Sequence, residues 1–510
     1  MKKRALFSVS DKSGVVALAR RVAAMGYEII STGGTQSALE AGGVECVNIS
    51  RITGFPECLD GRLKTLHPVV HGGILAMRRN IDHMAQMELL SIEPIDIVVI
   101  NLYPFKQTVL REGVLLEEAI ENIDIGGPAM LRSAAKNWED VLVVVCPSDY
   151  EYVAEHLEEG TVTPDIRFAL AAKVFEHTAH YDALIAEYLR RKTGTDYPDL
   201  LTLTFEKHQV LRYGENPHQS AVFYREAGAS GGSLALAEQL HGKELSLCNI
   251  HDAHGAATLL KEFSEPCAVA VKHANPCGVG VGNTICEAYI RAFEVDPVSI
   301  FGGVVALNRL CEKTVAEEMK KTLLDVIIAP GFTDEALEIL TAKKNVRLLS
   351  LETISEPIGE YAMDLKKVDG GLLVQSIDRA VGTDRQEVTA AVPTESQYRD
   401  LDLAWKVCKH VKSNAVVLAK DGRIVGIGPG QVSRVGALEV AIRHAGEKAA
   451  GAVAASDAFF PFPDCVHKAH EAGITAIIQP GGSLRDGESV AACNQCGIAM
   501  VFTGVRHFSH

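Results

Sequence analysis

The sequence predicts an α/β protein with at least two domains, on three observations. Its 510 residues exceed the length that one hydrophobic core usually serves. Apolar, β-branched runs alternate with segments of helical periodicity along the whole chain. A stretch with Gly, Thr and Pro near 191–204 interrupts a helical pattern. We therefore predict a first domain over 1–195 and a larger second domain over 200–510.

The elements of the first domain follow in order along the chain. ALFSVS predicts a strand, Asp11 is predicted to cap the following helix, and SGVVALARRVAAMG has helical periodicity up to Gly26. YEIIS and VECVNIS predict strands on either side of a helix in QSALEAGG, and IDIVVI and VLVVVC predict strands that are buried on both faces. This pattern predicts an open, doubly wound sheet whose ligands bind beyond the carboxyl ends of its strands.

The second domain is also predicted to be α/β. Strand-like runs recur as PCAVAVKH, VVALN, LDVIIAP, NAVVLAK, RIVGIG, GAVAAS and AIIQP, with helical segments between several of them. The region is long enough for two related lobes. The residues themselves show no convincing repeat, so a duplication does not follow from the sequence pattern.

The composition excludes several classes of function. Lys and Arg number 50 and Asp and Glu 65, and the net charge of -15 argues against general binding to nucleic acid or to anionic membranes. No apolar run approaches the roughly 20 residues of a membrane span, and the opening MKKRALFSVSDKSG predicts no signal peptide. The scattered cysteines predict reduced thiols in a cytoplasmic protein. Cys493 and Cys496 form a CxxC pair without a second pair nearby, which favours packing over a metal site.

Small polar residues follow the first two predicted strands, where the ligands of such a sheet bind. They are Ser10 and Lys12 after the first strand, and Ser31, Gly33, Gly34 and Thr35 of STGGT after the second. Hydroxyls, glycines and exposed backbone N–H groups can hold a phosphate at a helix N-terminus. The alternative is a pair of ordinary strand-to-helix turns in which Ser and Thr act only as caps.

Further candidates of the first domain combine cationic, hydroxyl and amide side chains with Gly and Pro, which suits a ligand-facing turn. They are Arg62, Lys64 and Thr65 in DGRLKTLHPVVHGG, Asn101 and Tyr103 after a buried strand, and Asp124, Gly126, Gly127 and Lys136 in DIGGPAMLRSAAKN. A buried Lys near an anionic substrate can have its pKa tuned for proton transfer. Pro128 suits a first helical turn, with accessible backbone amides at the glycines before it. For Lys136 the alternative is a solvated basic helix face shared with Arg132.

The second domain carries its own candidates. LRYGENPHQ contains Arg212 and Tyr213, whose side chains suit phosphate binding and stacking, and VKHANPCGVG contains the adjacent pair Lys272 and His273. Neighbours on a strand point to opposite faces, so this pair serves one site only where the strand ends, and the Asn-Pro dipeptide at 275–276 is predicted to end it. The remaining candidates are Asn414 in VKSNAVVLA, Arg434 in GIGPGQVSR, and Phe459 and Asp464 in SDAFFPFPD. GIGPGQ does not fit the GxGxxG dinucleotide pattern.

The motifs of residues 1–150 together resemble the inosine monophosphate (IMP) cyclohydrolase family. SVSDKSG, STGGT, GRLKTLHPVVHGGIL, NLYPF and NIDIGGPAMLRSAAKN occur in the order of that family. The resemblance implies a methylglyoxal-synthase-like fold and ring-closing chemistry around Lys64, Tyr103, Asp124 and Lys136, with the roles of the two lysines left open. The substrate-binding residues that it implies are Ser10, Lys12, Ser31, Gly33, Gly34, Thr35, Arg62, Thr65, Asn101, Gly126 and Gly127.

Nearly all of residues 200–510 resemble the aminoimidazole carboxamide ribonucleotide (AICAR) transformylase family. The motifs are LRYGENPHQ, VKHANPCGVG, DPVSIFGG, VKSNAVVLA, GIGPGQVSR, SDAFFPF and AMVFTGVRHFSH. The resemblance implies duplicated cytidine-deaminase-like lobes without a catalytic metal, in a homodimer, and PCGVG indeed lacks the PCxxC pattern of zinc deaminases. It implies Lys272 and His273 as the catalytic pair with Asn414. It also implies ribonucleotide binding by Arg212 and Tyr213, and substrate or folate contacts by Arg434, Phe459 and Asp464.

Together the two resemblances predict a bifunctional enzyme of de novo purine biosynthesis. A formyl group passes from 10-formyl-tetrahydrofolate to AICAR, and the formyl-AICAR formed is then closed to IMP with loss of water. One alternative is that the first domain is a regulatory phosphate-binding module, which needs only the Ser, Thr and Gly cradle. That alternative leaves Lys64, Asp124 and Lys136 without a common purpose. A zinc-dependent deaminase is the other alternative, and the missing PCxxC motif disfavours it.

Overall fold

A computed structural model describes residues 2–382 and 384–510 of the chain. The chain divides into two compact units, Met1–Phe205 and Glu206–His510. Among the described residues, no helix combines the length and the apolar character needed to cross a bilayer. All twelve cysteines are free thiols.

The first unit is built on a parallel sheet with strands in the order β3-β2-β1-β4-β5. The strands are β1 Arg4–Val9, β2 Glu28–Ser31, β3 Val47–Asn48, β4 Ile97–Asn101 and β5 Leu142–Val144. The chain runs outward in one direction from β1 to β3 and then returns to the other side of β1 with β4. The predicted doubly wound sheet is therefore confirmed, and its switch point lies between β1 and β4, where the strand order reverses.

Helices cover both faces of this sheet. They are α1 Val15–Ala24, α2 Gly33–Ala41, α3 Ile49–Thr53, α4 Pro68–Leu75, α5 Ile81–Leu89, α6 Phe105–Val109, α7 Leu116–Glu121, α8 Gly126–Lys136, α9 Tyr150–Glu159 and α10 Pro164–Thr193, with a 3-10 turn at Pro147–Asp149. Successive strand residues alternate between two cores: Leu6 packs in one core and Phe7 in the other. The continuous apolar runs of the sequence follow from this burial on both faces.

The predicted helix cap at Asp11 is wrong. The helix begins at Val15, and the residue before it is Gly14 in a left-handed conformation with φ 71°. The carboxylate of Asp11 instead accepts a hydrogen bond from the backbone N–H of Ser13 at 2.9 Å. A short Asp side chain can close such a turn on its own backbone two residues ahead, and this turn delays the helix.

The second unit contains a long mixed sheet and two separate hairpins, β6-β7 and β14-β15. Its strands are β6 Phe205–Leu211, β7 Ala221–Glu226, β8 Glu238–His241, β9 Cys267–Lys272, β10 Asn275–Val281, β11 Gly303–Leu307, β12 Leu324–Ala329, β13 Arg347–Ser350, β14 Met363–Val368, β15 Gly371–Ser376, β16 Gln386–Glu387, β17 Val416–Lys420, β18 Arg423–Gly428, β19 Val453–Ser456, β20 Ala476–Gln479 and β21 Ala499–Phe502. Its helices are α11 Leu247–Leu260, α12 Ile285–Phe293, α13 Lys313–Met319, α14 Asp334–Thr341, α15 Glu395–Cys408, α16 Arg434–Ala445, α17 Asp464–Glu471 and α18 Asp486–Cys496, with 3-10 turns at Leu234–Leu236 and Gly446–Ala449. The strand-like runs predicted for this domain all fall on strands.

Two lobes of the second unit repeat the same order of elements. In the first lobe, which runs from α11 to β13, an antiparallel hairpin β9-β10 is followed by β11, antiparallel to β9, and then by the parallel strands β12 and β13. In the second lobe, from α15 to β21, strands β17 to β21 pair in the same way. Strands β10 and β18 pair antiparallel at the seam between the lobes, which makes one continuous sheet. The likeness of each lobe to cytidine deaminases stays a prediction.

The predicted end of the strand at the Asn-Pro dipeptide is wrong in detail. The turn is formed by His273 and Ala274, and Asn275 already starts β10. The glycines of NPCGVGV serve close packing of this strand against α12. A Cβ on Gly278 would stand only 2.1 Å from the carbonyl oxygen of Ala292. Glycine within a strand often marks such a close approach of another backbone.

Candidate active sites

Asn101 holds the loop at the switch point of the first unit. Its buried side chain accepts hydrogen bonds from the backbone N–H groups of Ser10 at 2.6 Å and Asp11 at 2.8 Å, and donates to the carbonyl of Asp11 at 3.1 Å. The end of β4 is thereby tied to the loop after β1. Asn101 shapes the edge where this kind of sheet binds ligands.

Lys12 lies over the carboxyl end of β1. Its ammonium donates to the backbone carbonyls of Val9 and, at 3.3 Å, of Ser10. Burial lowers the pKa of Lys12, and the charge of Asp11 opposes this shift. The cationic head is thus kept near the strand end while its neighbour Ser10 remains half-buried.

The STGGT motif presents backbone rather than hydroxyl groups to the outside. Ser31 is buried and its hydroxyl donates to the carbonyl of Phe7 at 2.9 Å. Thr35 is also buried, and its hydroxyl both accepts from the N–H and donates to the carbonyl of Val9 at 3.0 Å. Gly33 and Gly34 are exposed in the first turn of α2, with no atom within 4 Å of the place where a Cβ would stand. Their N–H groups, at a helix N-terminus, suit an anion.

Asp124 lies at the start of α8 among hydrogen-bond donors. Its carboxylate accepts from the N–H of Gly127 at 2.8 Å and also from the backbone N–H of Tyr103. Burial raises the pKa of Asp124, although these two donors and the nearby charge of Lys64 act in the opposite direction. The Tyr181 hydroxyl accepts from the backbone N–H of Asp124 at 2.9 Å. A half-buried carboxyl with a raised pKa beside an ammonium is a candidate for proton transfer.

The two glycines of the DIGGP motif let other groups approach this carboxyl. A Cβ on Gly126 would lie 2.5 Å from the hydroxyl oxygen of Thr65, and a Cβ on Gly127 would lie 2.6 Å from Oδ2 of Asp124. Thr65 is buried directly after Lys64 in the chain. The structure thus brings the TLHP turn and the start of α8 together.

In the second unit, Lys272 and His273 lie where a hairpin turns. Lys272 ends β9, and its ammonium donates to the backbone carbonyls of Phe301 and Gly302, both at 2.9 Å. His273 and Ala274 form the turn with φ values of 52° and 60°. The carboxylate of Asp252 on α11 accepts from the N–H of His273 at 3.3 Å and from that of Ala274 at 2.7 Å. The His273 side chain is exposed.

The second lobe reaches this hairpin through the segment that precedes β17. The side chain of Asn275 accepts from the backbone N–H of Lys412 at 3.4 Å. Two residues farther on, Asn414 donates from its amide to the carbonyl of Gln431 at 2.7 Å and accepts from Nη2 of Arg434 at 2.8 Å. The Asn414 amide is therefore held in one orientation.

Arg434 is a buried arginine that organises this segment. Its side chain is 6% exposed, and it forms an ion pair with Asp457, whose side chain is 0% exposed. It also donates to the carbonyl of Ala415 at 3.1 Å. Asp457 in turn accepts from the hydroxyl of Ser413 at 2.6 Å. Asp457 and Ser413 lie in the motifs SDAFFPFPD and VKSNAVVLA, but the sequence does not predict that Asp457 bonds to both Ser413 and Arg434.

Comparisons with known proteins find two family models and highly similar full-length relatives. A family model described as "MGS-like domain" matches residues 14–129, and a model described as "AICARFT/IMPCHase bienzyme" matches residues 134–444. The "Bifunctional purine biosynthesis protein PurH" of Acetivibrio thermocellus is 59% identical over 517 residues, covering 100% of both chains. The protein of the same name from Bacillus subtilis is 57% identical and covers 100% of this chain and 99% of its own.

The chain belongs to the AICARFT/IMPCHase bienzyme family. It is a bifunctional enzyme of purine biosynthesis with AICAR formyltransferase and IMP cyclohydrolase activities, and its formyl donor is derived from folate. The predicted methylglyoxal-synthase-like fold of the first domain is confirmed. A solved structure titled "Crystal structure of ForH" is 38% identical, covers 36% of this chain and 95% of that chain, and has a TM-score of 0.33.

Two further predicted residues of the bienzyme's first unit are exposed. Arg62 is exposed and forms an ion pair with Glu121, an acid that the sequence pattern did not single out. Lys136 is the exposed last residue of α8, ten residues after Gly126, which corresponds to about 15 Å along the helix axis. The structure does not place Lys136 next to Asp124, and its role in ring closure stays a prediction.

Four predicted residues of the second unit have contacts of their own. The guanidinium of Arg212 lies 4.7 Å from the ring centre of Tyr213 and donates to its hydroxyl at 2.9 Å. Phe459 is 37% exposed, and Asp464 starts α17, where its carboxylate accepts from the N–H of Cys465 at 2.8 Å. Their contacts with ribonucleotide or folate stay predictions. Among the described residues there is no group of three or more His, Cys, Asp or Glu side chains that could hold a metal ion.

Proposed function

We propose that the two activities are divided between the two units. The domain of residues 1–195 closes formyl-AICAR to IMP, and the domain of residues 200–510 transfers the formyl group of 10-formyl-tetrahydrofolate to AICAR, without a catalytic metal. The observation that carries this proposal is the presence, in each unit, of a proton-transfer candidate close to a lysine: Asp124 with Lys64, and His273 with Lys272. Asp124 and Lys64 lie in motifs that resemble the cyclohydrolase family, and His273 and Lys272 lie in a motif that resembles the transformylase family.

For ring closure, the carboxamide nitrogen of formyl-AICAR attacks the formyl carbon and water leaves. The raised pKa of Asp124 suits this carboxylate to accept the proton from the attacking nitrogen. Lys64, whose charge acts on Asp124, is suited to stabilise the oxyanion that develops on the formyl oxygen. Holding both ends of one molecule in place removes much of the entropic barrier.

The phosphate of formyl-AICAR is proposed to bind at the N-terminus of α2. The exposed N–H groups of Gly33 and Gly34, with the ammonium of Lys12, supply hydrogen bonds and positive charge there. Ser31 and Thr35 support this loop from inside through their bonds to β1. In this proposal their hydroxyls shape the cradle, and the backbone contacts the ligand.

For formyl transfer, the amine of AICAR attacks the formyl carbon of 10-formyl-tetrahydrofolate and the folate nitrogen leaves. This amine is a poor nucleophile, because its lone pair is delocalised into the ring and the carboxamide. His273 is suited to take its proton, and Lys272 to give a proton to the leaving nitrogen. Asn414, oriented by Arg434, is suited to hold the formyl group or its oxyanion. In this proposal Arg434 positions Asn414.

We also propose a cytoplasmic homodimer. Large apolar side chains beside the second candidate site support the dimer: Phe301 is 58% exposed and Val432 fully exposed. The backbone carbonyl of Phe301 also accepts a hydrogen bond from Lys272. A second copy of the chain that covers Phe301 would therefore exclude water from the site. Light scattering on the purified protein tests this, and a mass near twice 54.9 kDa is expected. A mass of one chain would contradict it.

The central experiment mixes the purified protein with AICAR and 10-formyl-tetrahydrofolate, after removal of metals with a chelator. Tetrahydrofolate and IMP are then quantified together. Equal formation of both products supports the proposal. Tetrahydrofolate with accumulating formyl-AICAR would leave the first unit as a regulatory phosphate-binding module, and activity that returns only with added metal would contradict the metal-free mechanism.

A further inference from the structure

The two lobes of the second unit repeat one particular turn. In the first lobe it is the His273–Ala274 turn, whose N–H groups donate to Asp252. In the second lobe the turn between β17 and β18 is Asp421 and Gly422, with φ values of 56° and 71°. The N–H groups of those two residues donate to the two carboxylate oxygens of Asp400 at 2.9 and 2.8 Å.

The two acids occupy equivalent places. Asp252 is the sixth residue of α11 and Asp400 is the sixth residue of α15. Both helices begin with a capping box in which the side chains of the N-cap residue and the third helical residue satisfy each other's backbone groups. In both lobes the strand before the turn ends in a lysine, Lys272 or Lys420, whose ammonium donates to backbone carbonyls.

The two turns differ in what their residues prefer. Two central residues with positive φ form a type I′ hairpin turn, for which Asp-Gly is a favoured pair. The second lobe has this pair, so the residues of its turn favour the turn conformation by themselves. The first lobe has His-Ala; His is uncommon at positive φ, though less so than most residues, and Ala lacks even that preference. Such a conformation is strained and persists only when the surroundings of the residue enforce it.

We infer that Asp252 is a positioning residue for formyl transfer: by accepting both turn N–H groups it holds His273 and Ala274 in the left-handed conformation and so places the imidazole beside Lys272. This inference rests on the proposed role of His273. Asp400 makes the same two bonds to a turn that carries no histidine and needs less support. The chain therefore contains its own matched control for the structural part of the effect.

The test compares Asp252→Ala with Asp400→Ala in the full-length enzyme. Asp252→Ala is expected to lower the kcat of formyl transfer about a hundredfold, as a misplaced catalytic group does, with little change in the KM for either substrate. Asp400→Ala is expected to stay within about twofold of wild type. Cyclohydrolase activity on supplied formyl-AICAR, measured on the same samples, and the melting temperature report whether either variant is damaged more generally.

A rescue separates position from fold. Glycine takes positive φ without strain. The double variant Asp252→Ala with Ala274→Gly is therefore expected to have a kcat about tenfold higher than that of Asp252→Ala alone. Equal losses of formyl transfer in Asp252→Ala and Asp400→Ala, or wild-type kcat in Asp252→Ala, would overturn the inference. So would the absence of any rescue. His273→Gln is measured in parallel: if it keeps full activity, the proposed role of His273 fails, whereas an inactive His273→Gln with an active Asp252→Ala removes only the role of Asp252.

Discussion

The two candidate sites control their proton-transfer groups in different ways. In the first unit, Asp124 is half-buried at the start of a helix, and its surroundings raise its pKa. In the second unit, His273 is exposed, and what the surroundings enforce is the left-handed backbone that carries it. The first site changes the proton affinity of a carboxyl group, and the second site fixes the position of an imidazole group.

This difference follows from where each site lies on its sheet. Asp124 comes from a loop that packs beyond the carboxyl ends of parallel strands, where helix starts supply N–H groups and shield a side chain from water. His273 lies in a two-residue hairpin turn, which cannot bury its own side chain. Such a turn instead fixes the direction in which its side chain points, provided that hydrogen bonds hold the turn backbone in place. Substitutions in the two sites should therefore differ in their pH dependence and in their effects on stability.

The largest effect is expected for Lys272→Gln. Loss of the ammonium that is proposed to protonate the leaving nitrogen should lower the kcat of formyl transfer by about a thousandfold, within the range of general acid–base catalysis. The cyclohydrolase reaction with supplied formyl-AICAR should be unchanged. Both rates can be followed in one preparation by chromatography of tetrahydrofolate and IMP. A parallel loss of both activities would show that the two sites are not independent.

A smaller loss, about a hundredfold, is expected for Asp124→Asn in the cyclohydrolase reaction, with formyl transfer kept. In the wild type, kcat/KM for ring closure should fall at acid pH as Asp124 takes up its proton, with a midpoint above the ordinary Asp value of about 3.9 because the pKa is raised. That acid limb should disappear in Asp124→Asn. A limb that persists in the variant would assign the proton to another group.

The same shift has a consequence for stability. Since the folded pKa of Asp124 is raised, the folded state favours the protonated carboxyl, and this stabilisation is complete below the unfolded value and is lost as pH rises through the folded value. Asp124→Asn, which stays neutral, should therefore melt above wild type at pH 7 and lose that advantage at low pH. Thermal melts across pH, with the surface variant Glu117→Gln on α7 as control, would measure this.

The smallest effects are expected for substitutions of Arg434 and Arg62, and the two substitutions should differ in their effects on stability and kinetics. Arg434→Lys cannot contact both Asn414 and Asp457, so formyl transfer should fall about tenfold and the free energy of unfolding by about 1.5–3 kcal/mol. Arg62→Ala removes an exposed pair with Glu121, which should leave the free energy of unfolding nearly unchanged. Its effect should be a higher KM for formyl-AICAR. Urea unfolding and steady-state kinetics distinguish the two, and a large stability loss in Arg62→Ala would contradict this view.

Much of the fold could be predicted because a buried strand is recognisable from its own local sequence pattern. IDIVVI and VLVVVC are apolar on both faces, which predicts strands of a covered parallel sheet, and they form β4 and β5. The hairpin strand β10 was misjudged because its glycines serve packing against a helix, a property of the partner and not of the strand.

The sites were predicted as motifs, but not their supports. Asp252, Tyr181 and Asp457 act through partners 21 to 57 residues away in the chain, and an acid or tyrosine in a helix or loop has no pattern that reveals such a bond. The residues themselves show no repeat of the two lobes, which only the family resemblance implied. The repeat resides in strand pairing and in the turn backbone, while the turn residues themselves are His-Ala in one lobe and Asp-Gly in the other.

The seam between the lobes also sets an order of events during synthesis. The contacts of the first candidate site close within Met1–Phe205, whereas Asn275 must wait for Lys412 to emerge, and Asn414 must wait for Arg434. At about 5–20 residues per second, translation of Glu206–His510 takes on the order of 15–60 seconds. We therefore expect a nascent chain to close the purine ring before it can transfer a formyl group, so ribosome-bound chains stalled near residue 400 should already be cyclohydrolases.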